Sequence, residues 1–115
     1  MTADNEARSI EIWDDPESGA YLVEVDGSRV GKAEYRMRGG RHWFVHTEVD
    51  DEYEGTGIGT KLVQFALDDV RAKGGLVVPI CPFFAAYLRR HPEYEEIVDR
   101  EMTDRVERSR REREV

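Results

Sequence analysis

The chain has 115 residues, 39% hydrophobic and 37% charged, with a formal net charge of −8. That length allows one domain around a single modest core, and no apolar run approaches the roughly 20 residues that span a bilayer. An acidic surface repels phosphate backbones, so neither a membrane nor nucleic acid is an expected partner.

Residues 1–8 are polar and read as a flexible N-terminus. Met1 to Ser9 lack the apolar core of a signal peptide, so a cytoplasmic location follows by default. Ile10 to Trp13 alternates with the two-residue period of a strand. Asp14 to Gly19 is turn chemistry, and Ala20 to Val25 is a second strand with Tyr21, Val23 and Val25 on one face. Asp26-Gly27 is a strong hairpin signal before a third strand from about Arg29 to Met37. Gly39-Gly40 closes the next hairpin, and His42 to Val49 is the fourth strand of an antiparallel meander. Trp13, Trp43 and Tyr21 read as core aromatics at strand spacing.

The period then changes. From Thr56 to Lys73 the residues Ile58, Leu62, Val63, Ala66, Leu67 and Val70 fall at helical spacing, and Gly74-Gly75 ends the helix. Leu76 to Ile80 is a continuous apolar run, as expected of a buried strand beside a crossover helix. Fourth strand, helix and fifth strand thus make a parallel β-α-β unit. A short helix follows from about Pro82 to Arg90, with proline at its first position. Pro92 stops it, and Glu93 to Val98 offers another helical turn or two.

From Asp99 to Val115 six arginines balance six acids, so the excess negative charge sits on residues 1–98. Acid-to-arginine pairs Glu101/Arg105, Asp104/Arg108 and Glu107/Arg111 favour a helix, each by a few tenths of a kcal/mol. With only Met102 and Val106 to bury, this tail (99–115) is expected to be a frayed helix or disordered. Residues 9–98 would then form the domain.

The turn Glu54-Gly55-Thr56-Gly57-Ile58-Gly59-Thr60 between strand and helix has the architecture of an anion site. The helix leaves unbonded N–H groups and a positive dipole end there, and glycines let a ligand approach the backbone. A Walker A loop needs glycine directly before its lysine, whereas Thr60 separates Gly59 from Lys61. A dinucleotide fingerprint needs G-x-G-x-x-G, and this turn is G-x-G-x-G after a four-strand meander. A third reading is a pyrophosphate loop of the form [Q/R]-x-x-G-x-[G/A], which Gly57-Ile58-Gly59 fits. Glu54 departs from that form at its first position, leaving backbone N–H groups, Lys61 or the Thr60 hydroxyl to bind the phosphates. A loop that only turns the chain stays open as well.

Other segments occur in fixed order around this turn: His46-Thr47-Glu48-Val49, Pro79-Ile80-Cys81-Pro82-Phe83-Phe84, Tyr87, and His91-Pro92-Glu93-Tyr94. Together they resemble the small YjdJ-type branch of the Gcn5-related N-acetyltransferases, over roughly Arg29 to Val98. The resemblance implies a mixed α/β fold of reduced size: a four-strand meander, a β-α-β unit and a short C-terminal helix. It implies acetyl-CoA as cofactor, in a groove between the fourth and fifth strands. Thr47, Glu48 and Val49 would line that groove, with Gly55, Thr56, Gly57, Ile58, Gly59 and Thr60 of the turn and Pro82, Phe83 and Tyr87 beyond the fifth strand. Backbone N–H of Thr47 to Val49 would polarise the thioester, and Tyr87 could hydrogen-bond the CoA sulfur. No metal is implied.

Cys81 precedes a helix start, a position that favours thiolate. In the family the matching cysteine is the proposed catalytic residue, as nucleophile or as the acid that reprotonates the departing thiolate; a buried structural thiol is the alternative. His46 is the candidate base, or a histidine satisfied by hydrogen bonds.

The expected activity is acetyl transfer to an amine of unidentified class. The acidic body suggests cationic acceptors such as polyamines, aminoglycosides or lysine-rich segments. The alternatives are a non-catalytic acyl-CoA-binding or sensing module, and an interaction domain with a vestigial site. The oligomeric state is left open, with a monomer admitted.

Overall fold

The computed structural model describes residues 9–114; the segment expected to be a flexible N-terminus, 1–8, lies outside the described residues, as does Val115. One five-stranded sheet runs in the order β1 (Ile10–Asp15), β2 (Ala20–Val25), β3 (Ser28–Arg38), β4 (Arg41–Val49) and β5 (Leu76–Pro79). The first four strands are antiparallel, and β5 is parallel to β4. This is the predicted mixed α/β architecture, a meander followed by a β-α-β unit. The β2–β3 hairpin turns on Asp26 and Gly27, both at positive φ (51° and 83°), the conformation that a two-residue turn of matching twist requires.

Helix α1 (Ile58–Ala72) crosses one face of the sheet and connects β4 to β5. Its Leu62, Val63, Ala66, Leu67 and Val70 are fully buried against Tyr21, Val23, Phe44 and Val77, the centre of the core. At its far end Lys73 bridges two carboxylates, Asp14 at 3.0 Å and Asp69 at 2.7 Å. The Tyr21 hydroxyl donates to Asp69 and the Tyr35 hydroxyl to Asp14, each at 2.7 Å. Burial, then these hydrogen bonds, push both phenols up, so they remain donors.

A β-bulge decides which β4 side chains share a face. Tyr35 pairs with Phe44 but Glu34 pairs with His46, so Val45 is the extra residue. Before the bulge His42 and Phe44 face α1; after it Thr47 and Val49 do. His46 and Glu48 therefore point to the opposite, open face, with Trp43 before the bulge. Trp13 and Trp43 are accordingly not core aromatics: both are half-buried on the open face, whereas Tyr21 is in the core.

Helix α2 (Pro82–Arg90) follows β5, and Pro92–Ile97 forms a 3-10 helix. The charged tail then forms a fifteen-residue helix, α3 (Arg100–Glu114). Its first turn is tied down where the sequence offered little to bury. Val98 bridges to Val77, and the Asp99 N–H donates to the Val77 carbonyl at 2.9 Å. The Asp99 carboxylate accepts from the Met102 N–H at 3.0 Å and from the Arg41 guanidinium. Such a cap contributes about 1 kcal/mol. Of the three expected pairs, Glu101/Arg105 is within ion-pair range at 4.0 Å, while Asp104 lies beside Arg100 at 3.8 Å instead.

Candidate functional site

Strands β4 and β5 separate partway along their length. Their paired register ends at Phe44 opposite Pro79, and the Phe44 carbonyl then accepts from both the Ile80 N–H (3.0 Å) and the Cys81 N–H (2.8 Å). Beyond that point the chain turns into α2, and among the described residues the remainder of β4 has no strand partner on that side. The Asp50 N–H bonds back to Val30 at 2.8 Å. By the alternation of strand backbone, the N–H groups of Thr47 and Val49 point the other way, into the gap.

A groove of about 700 Å³ fills this gap, lined by Thr47, Glu48, Val49, Tyr53, Glu54, Gly55, Gly57, Gly59, Thr60 and Phe83. Its wall is the start of α1. Gly57 stands at the N-cap with φ 89°, and among the described residues no side chain caps the helix. The first backbone donor with a helical partner is Lys61, which bonds to the Gly57 carbonyl at 3.0 Å. Among the described residues no hydrogen bond engages the N–H groups of Gly57, Ile58, Gly59 or Thr60. The helix start, with its unengaged donors and positive dipole end, therefore borders the groove through Gly57, Gly59 and Thr60. Gly59 lets Phe83 pack against the helix start, because a Cβ there would lie 2.9 Å from the tip of the Phe83 ring and would displace it.

The groove gathers most of the residues expected to hold acetyl-CoA. Ile58 is instead buried in the core, anchoring the helix start, and the exposed Thr56 hydroxyl bonds to the Tyr53 carbonyl. Pro82 lies on the side of α2 that faces α3, away from the groove. Tyr87 lines a side pocket with Thr60, Phe83 and Arg90, its ring stacked on His91 at 4.0 Å. Burial, then the nearby Glu93 and Asp68 carboxylates, push its phenol up, keeping it a hydrogen-bond donor. Tyr53 was missed by sequence reasoning; it is an aromatic in a polar connection, with no periodicity to mark it. Lys61, considered as a phosphate partner, is exposed and outside the lining, whereas Thr60 is part of it.

Cys81 is the N-cap residue of α2 and is 4% exposed. Its Sγ lies 3.3 Å from Thr47 Oγ1, so the thiol sits behind the groove wall and meets the groove through Thr47. His46 is not beside it. His46 lies on the open face, its Nε2 3.5 Å from Glu48 Oε2, with a side chain 54% exposed. The two candidate catalytic residues thus stand on opposite sides of the sheet at the same seam.

Among the described residues no helix is long and apolar enough to cross a membrane. A family model described as GCN5-related N-acetyl-transferase matches residues 20–97. No curated protein matches the chain. A solved structure of a GCN5-like candidate N-acetyltransferase from Staphylococcus aureus is 21% identical, covering 76% of this chain and 86% of its own, with a TM-score of 0.60. A candidate acetyltransferase of the GNAT family from Desulfovibrio desulfuricans is also 21% identical, covering 65% of this chain and 54% of its own; its TM-score of 0.46 carries no argument. At that identity the Staphylococcus structure establishes likeness of fold alone.

Proposed function

This chain belongs to the GCN5-related N-acetyl-transferase family, and from that premise we propose that it transfers the acetyl group of acetyl-CoA to an amine. The observation that carries the reading is the row of unengaged N–H groups at residues 57–60, bordering a groove that ends where β4 and β5 part. Acetyl-CoA supplies a thioester carbonyl that a neutral amine attacks: the C–N bond forms, the C–S bond breaks, the amine loses a proton and the thiolate gains one.

The residues divide that work by face. The N–H groups of 57–60 and the Thr60 hydroxyl bind the pyrophosphate, offsetting the repulsion of Glu54 in the lining. Phe83 and Val49 flank the pantetheine, and the backbone N–H of Thr47 or Val49 polarises the carbonyl. Cys81, hydrogen-bonded to Thr47, supplies the proton to the leaving thiolate. His46, on the open face, takes the proton from the incoming amine, with Glu48 steadying its ring. Residues 9–98 form the acetyl-CoA-binding domain, and α3 covers part of the acceptor side.

A second reading, a non-catalytic acyl-CoA sensor, is favoured by one observation: Cys81 is buried and outside the groove lining. Calorimetry with acetyl-CoA and CoA, followed by thiol release with a panel of amines, separates the two. The proposal expects binding of both ligands and amine-dependent thiol release. Binding with no amine-dependent release would favour the sensor, and no heat at millimolar ligand would end both readings.

A further inference from the structure

On the open face a second groove, of about 330 Å³, runs between α3 and the sheet. Its floor is Trp43, Val45 and Ile80, and its walls carry four guanidinium groups: Arg36 and Arg38 from β3, Arg110 and Arg113 from α3. Val45 is the bulge residue and Ile80 immediately precedes Cys81, so this groove reaches the same seam as the CoA groove from the other side. The arginines are brought together by two periods. Arg36 and Arg38 share a strand face, while Val106, Ser109, Arg110 and Arg113 make an i, i+3, i+4, i+7 stripe on the helix. Arg38 lies over the Trp43 ring (5.9 Å to its centroid), and Arg110 reaches the Ile80 carbonyl at 3.4 Å. Among the described residues none of the four is ion-paired. In a chain of net charge −8 this convergence of cations that are not ion-paired has the chemistry to hold an oxyanion, which guanidinium forks bind well.

The sign changes abruptly along the same two strands. One step past Arg36 on the same face, about 7 Å away, stands Glu34. The ligating atoms of Glu34, His46 and Glu48 lie within 4.8 Å of one another. Lys32, at 3.4 Å from Glu48 and 3.7 Å from Glu34, neutralises this cluster only in part. The open face at the seam is therefore bipolar, acidic around His46 and basic toward α3.

We propose that the acceptor is a small zwitterionic amine, its carboxylate or phosphate held by Arg36, Arg38, Arg110 and Arg113 and its ammonium received by Glu34, His46 and Glu48. This rests on the acetyltransferase reading above and names the substrate class of that site. The ammonium gives one proton to His46, which releases it to solvent. The neutral nitrogen attacks the thioester carbon, the C–S bond breaks, and the second nitrogen proton replaces, through solvent, the one that Cys81 gives to the leaving thiolate. The products are the N-acetyl compound, free CoA thiol and one released proton.

The test uses matched amines: 4-aminobutyrate against butylamine, phosphoethanolamine against ethanolamine, and putrescine as a dication. Thiol release is measured with each, and binding of each to the CoA-loaded protein is measured by calorimetry. The proposal expects the anionic member of at least one pair to exceed its neutral partner at least tenfold in kcat/KM and to give binding heat that its partner does not. Which pair responds distinguishes carboxylate from phosphate. Arg36→Ala and Arg110→Ala, both at exposed positions, should each lower that ratio by tenfold or more, an effect that a purely structural role would not produce. Equal or greater turnover of the neutral amines or putrescine, or no turnover of either anionic amine while acetyl-CoA binds, overturns the substrate assignment alone. Absence of acetyl-CoA binding overturns the underlying reading and this inference with it.

Discussion

Thr47 Oγ1 and Cys81 Sγ meet at 3.3 Å across the place where parallel pairing between β4 and β5 stops. The contact joins β4, whose end lines the groove, to the N-cap residue of α2. It gives a buried thiol a route to the groove through a hydroxyl that is part of the lining.

If that route carries the proton to the leaving thiolate, Cys81→Ala lowers amine-dependent thiol release at least tenfold while acetyl-CoA affinity persists. Removing one small buried group costs about 1 kcal/mol of stability, so the variant remains folded. The measurement pairs thiol release with calorimetry, and an unchanged rate would remove Cys81 from the mechanism.

Gly57 and Gly74 both hold positive φ, 89° and 72°, with open space where a Cβ would sit. Alanine at either position costs about 1 kcal/mol in backbone strain. Only Gly57 lines the groove. Gly57→Ala should therefore weaken acetyl-CoA binding at least tenfold, and Gly74→Ala should leave it unchanged at a similar loss of stability. Equal affinity in the two variants would place the phosphates elsewhere.

His46→Gln tests the base on the acceptor side. General-base assistance is worth roughly 10² to 10⁴ in rate, so kcat/KM for the amine should fall about a hundredfold, with acetyl-CoA affinity retained because His46 faces away from that groove. A fall of less than twofold would show that water alone accepts the proton.

His42 makes stability depend on pH. Burial first, and the Lys73 charge second, lower its pKa from the ordinary 6.5. The unfolded chain therefore binds the proton more readily than the folded one. This contribution is fully present above pH 6.5, is lost as pH falls through that value, and levels off below the depressed folded pKa. Its Nδ1 is buried without a hydrogen-bond partner among the described residues, and the Asp14 and Asp69 charges favour its protonated form less than burial and Lys73 oppose it. Urea titrations from pH 8 to 5 should show a shallower decline in His42→Phe than in the unmodified protein. Parallel declines would mean that His42 remains neutral throughout or is equally protonated in both states.

Lys73 sits between Asp14 and Asp69 while remaining 47% exposed. Burial pushes the Asp69 carboxyl up, but hydrogen bonds from Lys73 and Tyr21 outweigh it and hold the group below the ordinary carboxylate value. Lys73→Met should lower stability at pH 7 by about 1 kcal/mol, a figure discounted for screening. The deficit should shrink as pH falls through the aspartate range, since a depressed carboxylate stabilises only while ionised. A pH-independent deficit would assign the effect to packing of the lysine stem.

Much of the fold was legible because it is written in local periods. Ala20–Val25 and Pro82–Arg90 coincide with their predicted bounds, since alternation, helical spacing and a proline at a helix start act within a few residues. The glycine turn was legible for the same reason. The misplacement of Trp13 and Trp43 came from assigning aromatics to the core by spacing alone; spacing gives the period of a face but not which of two faces is covered. The fate of the tail turned on Asp99, whose side chain is held by Arg41, fifty-eight residues away.

By itself, then, the sequence determined the order of the elements, the open helix start at Gly57 to Thr60 and the placing of Cys81 before α2, all consequences of interactions between near neighbours. Only the tertiary structure decided how these parts face one another. One extra residue, Val45, reverses the alternation of β4, turning Thr47 toward the core side with Cys81 and His46 toward the other. Docking of α3 then brings Arg110 and Arg113 over Arg36 and Arg38. Both results depend on strand register and long-range packing, which no local period encodes.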